Sequence, residues 1–467
     1  MCENTFREIN SNDIEKLRTL LSANKVIPAA ELSEDYAHDE MNGISAMPSL
    51  LIRAESTKDI STVMQYAYTE NLPVVVRGSG TGLVGASVAV QKGIMIETLK
   101  MNQIIELDEN NLCITLQPGV LLMELAAFCE ENNLLYPPDP GEKSATIGGN
   151  ISTNAGGMRA LKYGVTRDYV QGLEVVLPTG EIIQLGGKVV KHASGYSLLD
   201  LIIGSEGTLG IITQIILKVV PLPKISLSLL VPFTKVEDAL NAVPPLIRSA
   251  LDFVALEFME QSVLEASEEY LGKIFPGEKH PVYLLLTVNG ETGPEVEALY
   301  EKAAALCISL RAIDVYRVDT QERKEAIWNT RGSFLEAIKA SAGEMDECDV
   351  VVPRTEIADF LAYIKELSVS LDIRIPSFGH AGDGNLHIYL CRDTLAKDIF
   401  ENRKKEAFAA MYKKAALVGG FVSGEHGIGY AKREYLAEQL GSAQLSLMRG
   451  IKRVFDEKGI LNPEKII

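Results

Sequence analysis

The sequence predicts an α+β protein with more than one domain. Its 467 residues exceed what a single hydrophobic core normally organises. In the first half, short β-branched runs alternate with turns rich in Gly, Pro and Asn. In the second half, strand and helix patterns alternate, which is typical of a sheet covered on one face by helices. The run Pro221-Leu-Pro223 interrupts both patterns, so we place a domain boundary there.

The elements of the first half follow from apolar spacing. Helical periodicity predicts helices over residues 11–23 and 58–70. Compact apolar runs bounded by turn residues predict strands at 72–76, 93–96, 113–116 and 173–177.

The same reasoning assigns the second half. Strands are predicted at 226–232, 253–259, 281–288, 313–319 and 349–353. Helices are predicted at 235–249, 295–311, 321–340 and 356–370, followed by a long charged helix at 395–417. The last helix is expected to end at Asn462-Pro463, because proline cannot continue a helix.

Composition narrows the functional classes. A hydrophobic content of 46% with 23% charged residues is typical of a soluble globular protein. The net charge of -18 argues against nucleic acid or an anionic membrane as partners, since both require basic patches. The cysteines form no C-x-x-C pair, so no zinc knuckle or iron-sulfur site is expected. Without a basic and apolar leader or a membrane-length apolar run, we expect a cytoplasmic protein with no membrane insertion.

Two polar segments near the C-terminus predict a metal site. The first, His380-Ala-Gly-Asp-Gly-Asn-Leu-His387, lies between apolar runs and predicts a hairpin that presents two imidazoles. The second is Gly424-Glu-His-Gly427. Two histidines and one carboxylate suit zinc, iron or manganese and leave coordination positions for a substrate. A Gly-rich turn with incidental histidines is the alternative.

Three glycine-rich loops predict an extended polar ligand. Residues 80–85 match G-x-G-x-x-G, but residues 86–90 do not read as a helix, and no acidic residue closes a βαβ unit. We therefore reject a nicotinamide-binding unit and expect a nest of backbone N–H groups that holds a diphosphate. Segments 137–157 and 204–210 add donors of the same kind. A nicotinamide-dependent dehydrogenase and a noncatalytic metal- or ligand-binding protein remain as alternatives.

Ordered motifs over residues 45–467 carry a family resemblance. They are Arg77-Gly-Ser-Gly-Thr-Gly82, Pro137-Pro-Asp-Pro140, Gly148-Gly-Asn-Ile-Ser-Thr-Asn-Ala-Gly-Gly157, Tyr163-Gly164, Gly204-Ser-Glu-Gly-Thr-Leu-Gly210, the two histidine segments and Asn462-Pro463. In this order they resemble the flavin-linked 2-hydroxy-acid dehydrogenases of the vanillyl-alcohol-oxidase fold. That group includes glycolate oxidase flavoprotein subunits and D-lactate and D-2-hydroxyglutarate dehydrogenases. Within it, the chain most resembles flavoprotein subunits of lactate dehydrogenases that couple NAD and ferredoxin.

The resemblance implies a domain organisation. A two-lobed FAD-binding domain of the vanillyl-alcohol-oxidase (PCMH) type is expected over residues 1–223, with its core at about 45–223. An antiparallel-sheet cap covered by helices is expected over 224–418. A C-terminal segment, 419–467, is expected to return to the FAD domain.

The resemblance also implies FAD contacts. They are expected at Arg77, Gly78, Ser79, Gly80, Thr81, Gly82, Pro138, Ser144, Thr146, Gly148, Gly149, Asn150, Ser152, Thr153, Gly156, Tyr163, Glu206, Gly207, Gly210, Ile211, Ile212 and Asn462. Relatives often attach FAD through a histidine or cysteine in or beside the first loop. Residues 77–85 contain neither, so we expect noncovalent FAD.

For chemistry, the resemblance implies a divalent metal on His380, His387 and Glu425, with His426 as the base. Arg331 matches a carboxylate-binding arginine, although a solvated helix arginine is the alternative. Residues 345–349 contain no lysine that would match the second carboxylate anchor of the hydroxyglutarate enzymes, which favours a monocarboxylic substrate such as D-lactate or glycolate.

The electron acceptor is expected to be a separate protein, because the chain carries no cysteine-rich ferredoxin-like segment. The alpha and beta subunits of an electron-transferring flavoprotein are the leading hypothesis, with electron bifurcation or confurcation between NAD and ferredoxin. A glycolate oxidase-type subunit that passes electrons to an iron-sulfur subunit is the alternative. The preferred hydroxy acid, the metal and the oligomeric state are not specified by the sequence.

Overall fold

The computed structural model describes residues 6–276 and 278–467. This part of the chain forms two compact units. The first unit contains the chain up to Ala155, then Val165–Leu222 and His426–Ile467. The second unit contains Gly156–Gly164 and Pro223–Glu425.

The first unit begins with a mixed sheet. Its strands, in the order β1-β2-β4-β3, are β1 (Val26–Pro28), β2 (Leu50–Arg53), β3 (Val74–Arg77) and β4 (Ile94–Glu97). Strands β2 and β3 run parallel to β4, and helix α2 (Thr57–Glu70) connects β2 to β3. Ser56 caps α2 by accepting a hydrogen bond from the Asp59 N–H. The apolar face of α2 then packs into the core of this unit.

A second sheet of the first unit is antiparallel, with the strand order β5-β6-β10-β8-β9. These strands are β5 (Ile104–Asp108), β6 (Cys113–Leu116), β8 (Val170–Val176), β9 (Ile182–Gly186) and β10 (Ile211–Lys218). The short strands β7 (Leu134–Leu135) and β11 (Val220–Pro221) pair with each other. The other helices of this unit are α1 (Ser11–Leu20), α3 (Leu122–Glu131), α4 (Ile147–Thr153), α6 (Leu198–Ile202), α14 (Arg433–Gln439) and α15 (Ser442–Phe455).

The second unit is built on one antiparallel sheet with the strand order β15-β12-β14-β13-β17-β18-β16. Its strands are β12 (Ile225–Phe233), β13 (Ala255–Glu260), β14 (Val282–Gly290), β15 (Tyr316–Val318), β16 (Met345–Val351), β17 (Ser377–His380) and β18 (Asn385–Cys391). Its helices are α5 (Ala160–Tyr163), α7 (Val236–Arg248), α8 (Gln261–Leu271), α9 (Gly293–Ser309), α10 (Gln321–Gly332), α11 (Phe334–Ala342), α12 (Ile357–Leu371) and α13 (Lys397–Leu417). One core of this unit joins the sheet to α8, α10 and α11.

Two helix predictions were wrong. The helix predicted over 321–340 is divided into α10 and α11 at Ser333, which directly follows Gly332. The Ser333 hydroxyl donates a hydrogen bond to the Thr330 carbonyl oxygen. The last helix ends at Phe455 and not at Asn462. The Asp456 carboxylate accepts hydrogen bonds from the N–H groups of Ile460 and Leu461, which turns the chain out of the helix.

Two further expectations need correction. The glycine-rich segment 137–157, which we interpret from its sequence as a ligand-binding loop with too little apolar surface for a regular element, contains helix α4. This helix forms because Ile147 and Ile151 are buried and the Thr146 hydroxyl accepts a hydrogen bond from the Gly149 N–H. Strand β16 begins four residues before the predicted 349–353 strand, since it pairs with β18 from Met345 onward.

Residues 86–90 form turns and no helix, in agreement with the rejection of a nicotinamide-binding loop.

Candidate active site

The hairpin formed by β17 and β18 places two imidazoles on one face. Phe378 pairs with His387, and His380 pairs with Asn385. Because side chains two residues apart share a face, His380 and His387 point to the same side of the sheet. Their ring centroids are 5.3 Å apart, and both rings are buried. The predicted hairpin thus brings its two histidines together.

Glu425 completes a three-residue cluster within the second unit. Its Oε1 lies 3.7 Å from Nε2 of His380 and 3.4 Å from Nε2 of His387. The two Nε2 atoms are 3.5 Å apart. Ligand atoms bound at about 2.0–2.1 Å to one tetrahedral ion lie roughly 3.3–3.4 Å from each other. The two imidazoles and the carboxylate therefore fit a single divalent ion.

Asp349 holds the Glu425 segment against the sheet. Its side chain is fully buried. Oδ2 accepts hydrogen bonds from the Ser423 hydroxyl at 2.6 Å, the Gly424 N–H at 3.1 Å and the Glu425 N–H at 3.3 Å. Oδ1 accepts a hydrogen bond from Asn385 Nδ2 at 2.7 Å. A Cβ at Gly424 would lie 2.1 Å from that amide nitrogen, so the chain needs glycine there.

A carboxylate lies behind each imidazole. Glu257 Oε1 is 2.7 Å from Nδ1 of His380, and Glu347 Oε1 is 3.0 Å from Nδ1 of His387. A proton on Nδ1 that is shared with a carboxylate leaves Nε2 as a metal ligand. We therefore expect both histidines to offer Nε2 to the ion.

These carboxylates also govern the protonation of the cluster. Burial alone would lower the pKa of His380, but the charge of Glu257 and its hydrogen bond, followed by Glu425, raise that pKa well above its usual value. Burial likewise opposes the effect of Glu347 and Glu425 on His387, yet they raise its pKa to about 9. Burial acts to raise the pKa of Glu425, but the hydrogen bonds from both imidazoles lower it well below its usual value. The carboxylates therefore determine how strongly the two imidazoles hold protons.

Arg331 lies in the same unit and is buried, so it is not a solvated helix arginine. Its Nε and Nη2 bond Glu257 Oε2 at 3.1 and 2.6 Å. The guanidinium carbon lies 4.7 Å from the ring centroid of Phe378. These contacts occupy the Nε and Nη2 edge of the guanidinium.

His426 directly follows Glu425 in the sequence and begins the last segment of the first unit. Its side chain is half-buried. Its role as the base stays a prediction.

The glycine-rich loops of the first unit form a cradle. The Ser79 hydroxyl donates to the Ser144 carbonyl oxygen at 2.6 Å and joins two of these loops. A Cβ at Gly78 would lie 2.2 Å from Thr146 Oγ1, and Gly80 has φ +79°. These positions allow backbone approach that larger residues would prevent. Arg77 supports the first loop, because its guanidinium bonds two backbone carbonyl oxygens of residues 35–38.

Glu206 links the third loop to the C-terminal segment. Its carboxylate accepts hydrogen bonds from the N–H groups of Ile428 and Gly429, each at 2.7 Å. Burial raises the pKa of Glu206 to about 7. The Glu206 carbonyl oxygen accepts a hydrogen bond from Asn462 Nδ2 at 2.7 Å. Residues far apart in sequence therefore meet within this unit.

Buried polar atoms test whether the cradle suits FAD. Ser87 Oγ, Asn150 Nδ2 and Asn462 Oδ1 have no hydrogen-bond partner within residues 6–276 and 278–467. Buried polar groups normally have partners, so these atoms fit a ligand with many donors and acceptors. A dinucleotide meets that requirement.

The other expected FAD contacts occupy several kinds of position. Ser152 and Thr153 bond back to carbonyl oxygens of α4, while Ile211 and Ile212 are buried in β10. Five of the remaining first-unit residues lie in the loops: Thr81, Gly82, Pro138, Gly207 and Gly210. Gly148 and Gly149 lie in the first turn of α4. Gly156 and Tyr163 belong to the second unit, where a Cβ at Gly156 would lie 3.0 Å from Glu425 Oε2.

Three carboxylates that contact the candidate site were not predicted from the sequence: Glu257, Glu347 and Asp349. Glu257 stands alone in the apolar run Val254-Ala-Leu-Glu-Phe-Met259. A single charge inside a predicted buried strand was the available indication, because such charges are rarely buried without a partner. Glu347 and Asp349 lie in the acidic stretch 345–349, whose sequence indicates only that no lysine is present there to bind a second substrate carboxylate.

Family patterns match both parts of the chain. The pattern described as FAD binding domain matches residues 48–186, and the pattern described as FAD linked oxidases, C-terminal domain, matches residues 222–466. The chain belongs to the FAD-linked oxidase family. The predictions of the family and of an FAD-dependent oxidoreductase are therefore confirmed.

Two curated relatives of this FAD-linked oxidase are similar over most of their length. A D-lactate dehydrogenase of Anaerostipes hadrus is 47% identical over 100% of this chain and 99% of the relative. The glycolate oxidase subunit GlcD of Bacillus subtilis is 40% identical over 92% of this chain and 91% of the relative.

A solved structure of p-cresol methylhydroxylase with substrate bound has a TM-score of 0.81 at 18% identity. The match covers 97% of this FAD-linked oxidase and 96% of the other chain. At that identity the likeness concerns the fold alone, and it confirms the α+β fold of the vanillyl-alcohol-oxidase (PCMH) type. In the described ranges, no helix has both the length and the apolar character needed to cross a membrane.

Proposed function

We propose that this FAD-linked oxidase is a 2-hydroxy-acid dehydrogenase that oxidises D-lactate to pyruvate. The convergence of His380, His387 and Glu425 beside Arg331 carries the proposal, because it offers a metal site for a hydroxyl and a cation for a carboxylate in one unit. The 47% identical relative named D-lactate dehydrogenase supports the choice of substrate.

The protein groups have distinct tasks. His380, His387 and Glu425 would hold a divalent ion through two nitrogens and one oxygen, a set that zinc, iron and manganese accept. Arg331 would bind the substrate carboxylate with its Nη1 side, while Glu257 fixes its other edge. A bound divalent ion lowers the pKa of a coordinated hydroxyl.

Oxidation requires removal of one proton and one hydride. His426 would take the hydroxyl proton as general base, a role that suits a neutral imidazole. Noncovalent FAD, when bound, supplies the acceptor for the hydride from C2. The products are pyruvate, reduced flavin and a protonated base, so atoms and electrons balance.

Reduction of the bound flavin tests this proposal. The purified holoenzyme is mixed anaerobically with D-lactate, L-lactate, glycolate or D-2-hydroxyglutarate while the absorbance of oxidised flavin is followed. Rapid bleaching by D-lactate and slower bleaching by the other acids are expected. Bleaching by none of these acids would refute a hydroxy-acid dehydrogenase.

Glycolate oxidation is the second candidate, favoured by the 40% identical relative named glycolate oxidase subunit. In that case electrons would pass to an iron-sulfur subunit. Faster bleaching by glycolate than by D-lactate would support this candidate.

For the electron acceptor, we propose an electron-transferring flavoprotein with alpha and beta subunits. The isolated protein should reduce artificial dyes with D-lactate but should not reduce NAD. Addition of the heterodimer should restore NAD reduction, with a requirement for reduced ferredoxin if electrons are confurcated. Efficient NAD reduction by the isolated protein would contradict this proposal.

A further inference from the structure

Glu257 is a buried charge in an otherwise apolar strand. It lies on β13, and its side chain has no exposed surface. Burial of a carboxylate is costly unless it is paired and hydrogen-bonded. A residue that only filled space here would be an aliphatic one, so the partners of Glu257 indicate what it does.

The two oxygens of Glu257 meet two groups of the proposed active site. Oε1 and Oε2 lie 2.7 and 2.8 Å from Nδ1 of His380. Oε2 accepts two hydrogen bonds from Arg331, at 3.1 Å from Nε and 2.6 Å from Nη2. The rings of Phe334 and Phe378 also lie beside the guanidinium, with centroids 5.4 and 4.7 Å from its central carbon. The guanidinium plane is therefore fixed relative to the imidazole of His380.

Glu347 provides a built-in comparison. It lies 3.0 Å from Nδ1 of His387, as Glu257 lies beside His380. Where Glu257 meets the guanidinium, Glu347 accepts a hydrogen bond from the Tyr389 hydroxyl at 2.9 Å. Each carboxylate thus lies against Nδ1 of one histidine, but Glu257 also bonds Arg331 and Glu347 also bonds Tyr389.

We propose that Glu257 is a positioning residue that links the metal ligand His380 to the anion-binding Arg331. Its carboxylate keeps the Nδ1 proton of His380, so that Nε2 faces the ion. The same carboxylate orients the Nη1 side of Arg331 toward the substrate. Metal affinity and substrate affinity therefore both depend on this one side chain, and this inference rests on the proposed function.

The variants Glu257→Gln and Glu347→Gln test this link. FAD-containing apoprotein is titrated with Zn²⁺ against a chromophoric chelator, and KM and kcat for D-lactate are measured at saturating Zn²⁺. Both variants should lose about 10–100-fold in Zn²⁺ affinity, because each removes the carboxylate behind a ligand. Glu257→Gln should also raise KM by about 10-fold or more, whereas Glu347→Gln should change KM by less than about 2-fold.

Wild-type Zn²⁺ affinity or wild-type KM in Glu257→Gln would overturn the link. An equal rise of KM in Glu347→Gln would also overturn it, because the effect would then be general. Wild-type protein that bound no Zn²⁺ would instead refute the metal site of the proposed function. These failures are distinguishable.

A second measurement applies if Glu257→Gln does not fold. Nitrogen NMR of the Zn²⁺-loaded wild-type protein should find the His380 proton on Nδ1, in a hydrogen bond to a carboxylate. A proton on Nε2 would contradict the proposed orientation.

Glu257→Asp, which keeps the charge but shortens the side chain, should recover Zn²⁺ affinity better than the Gln variant. Equal loss in both variants would refute a role for the charge.

Discussion

Substitution of Asp349 by asparagine should detach the Glu425 segment from the sheet. Oδ2 of Asp349 accepts hydrogen bonds from Ser423, Gly424 and Glu425, and Oδ1 accepts one from Asn385. Asparagine has the same shape but carries one acceptor oxygen and one donor group. In either orientation, at least one donor on the surrounding chain must face the new NH₂ group.

The size of the effect follows from these contacts. With the amide oxygen in the Oδ2 position, the three hydrogen bonds there lose their ionic character, at about 1 kcal/mol each. The NH₂ group then faces Asn385 Nδ2, and an unsatisfied buried donor costs about 1–3 kcal/mol. Rotation of the Asn385 amide would not relieve this, because its Nδ2 also bonds the Val350 carbonyl oxygen at 3.1 Å. A loss of about 4–6 kcal/mol in unfolding free energy is expected.

Asp346→Asn is the matched control. Asp346 lies on the same strand with its side chain on the opposite face, and its carboxylate is 3.2 Å from Lys404 Nζ. Denaturant unfolding and Zn²⁺ titration are measured for both variants. Asp349→Asn should lose stability and about 10–100-fold or more in Zn²⁺ affinity, whereas Asp346→Asn should keep its Zn²⁺ affinity. Wild-type stability and Zn²⁺ binding in Asp349→Asn, or equal losses in both variants, would refute this reasoning.

Three other predictions concern the cofactor, the base and acid stability. Acid precipitation should release FAD into the supernatant, as absorbance shows; yellow colour kept in the pellet would indicate a covalent bond. His426→Ala should keep its metal but lose about 10²–10⁴-fold in flavin reduction rate, whereas Glu425→Ala should lose metal by elemental analysis; the reverse pattern would exchange their roles. Hydrogen bonding by Arg7 lowers the pKa of Asp13 to about 2, so its stabilisation is complete above pH 4 and lost as pH falls through about 2. Asp13→Asn should thus cost about 2 kcal/mol at pH 7 and clearly less at pH 2.5 in denaturant unfolding; an equal cost at both would contradict this.

The fold class was predictable because local patterns and tertiary structure agree over most elements. The run at 113–116 forms β6 with the predicted bounds, since its residues are apolar or β-branched and turns lie on both sides. Helix α4 was missed because Gly, Ser, Thr and Asn have low helix propensity, and the helix depends on burial of Ile147 and Ile151. That burial is a tertiary property which local propensity does not contain.

The candidate site could likewise be predicted only in part. His380 and His387 lie seven residues apart, so a hairpin is sufficient to predict that they meet. Glu257 lies 123 residues before His380 in sequence. Its contact depends on β13 lying next to β17 in the sheet, and this strand order cannot be read from spacing alone. The contact between Glu257 and His380 could therefore be found only once the strand order was known.

The carboxylates around His380 and His387 all affect the charge of the candidate site. Glu257, Glu347, Asp349 and Glu425 bring four carboxylates to the surroundings of two imidazoles, and Arg331 compensates Glu257. Buried carboxylates are unfavourable unless they are paired and hydrogen-bonded, and the imidazoles, Arg331 and nearby donors supply such partners. In the proposed function, a divalent ion held by His380, His387 and Glu425 would add positive charge to this cluster. The buried carboxylates that sequence spacing does not reveal distinguish this histidine pair from an incidental turn, and they support the proposed metal site.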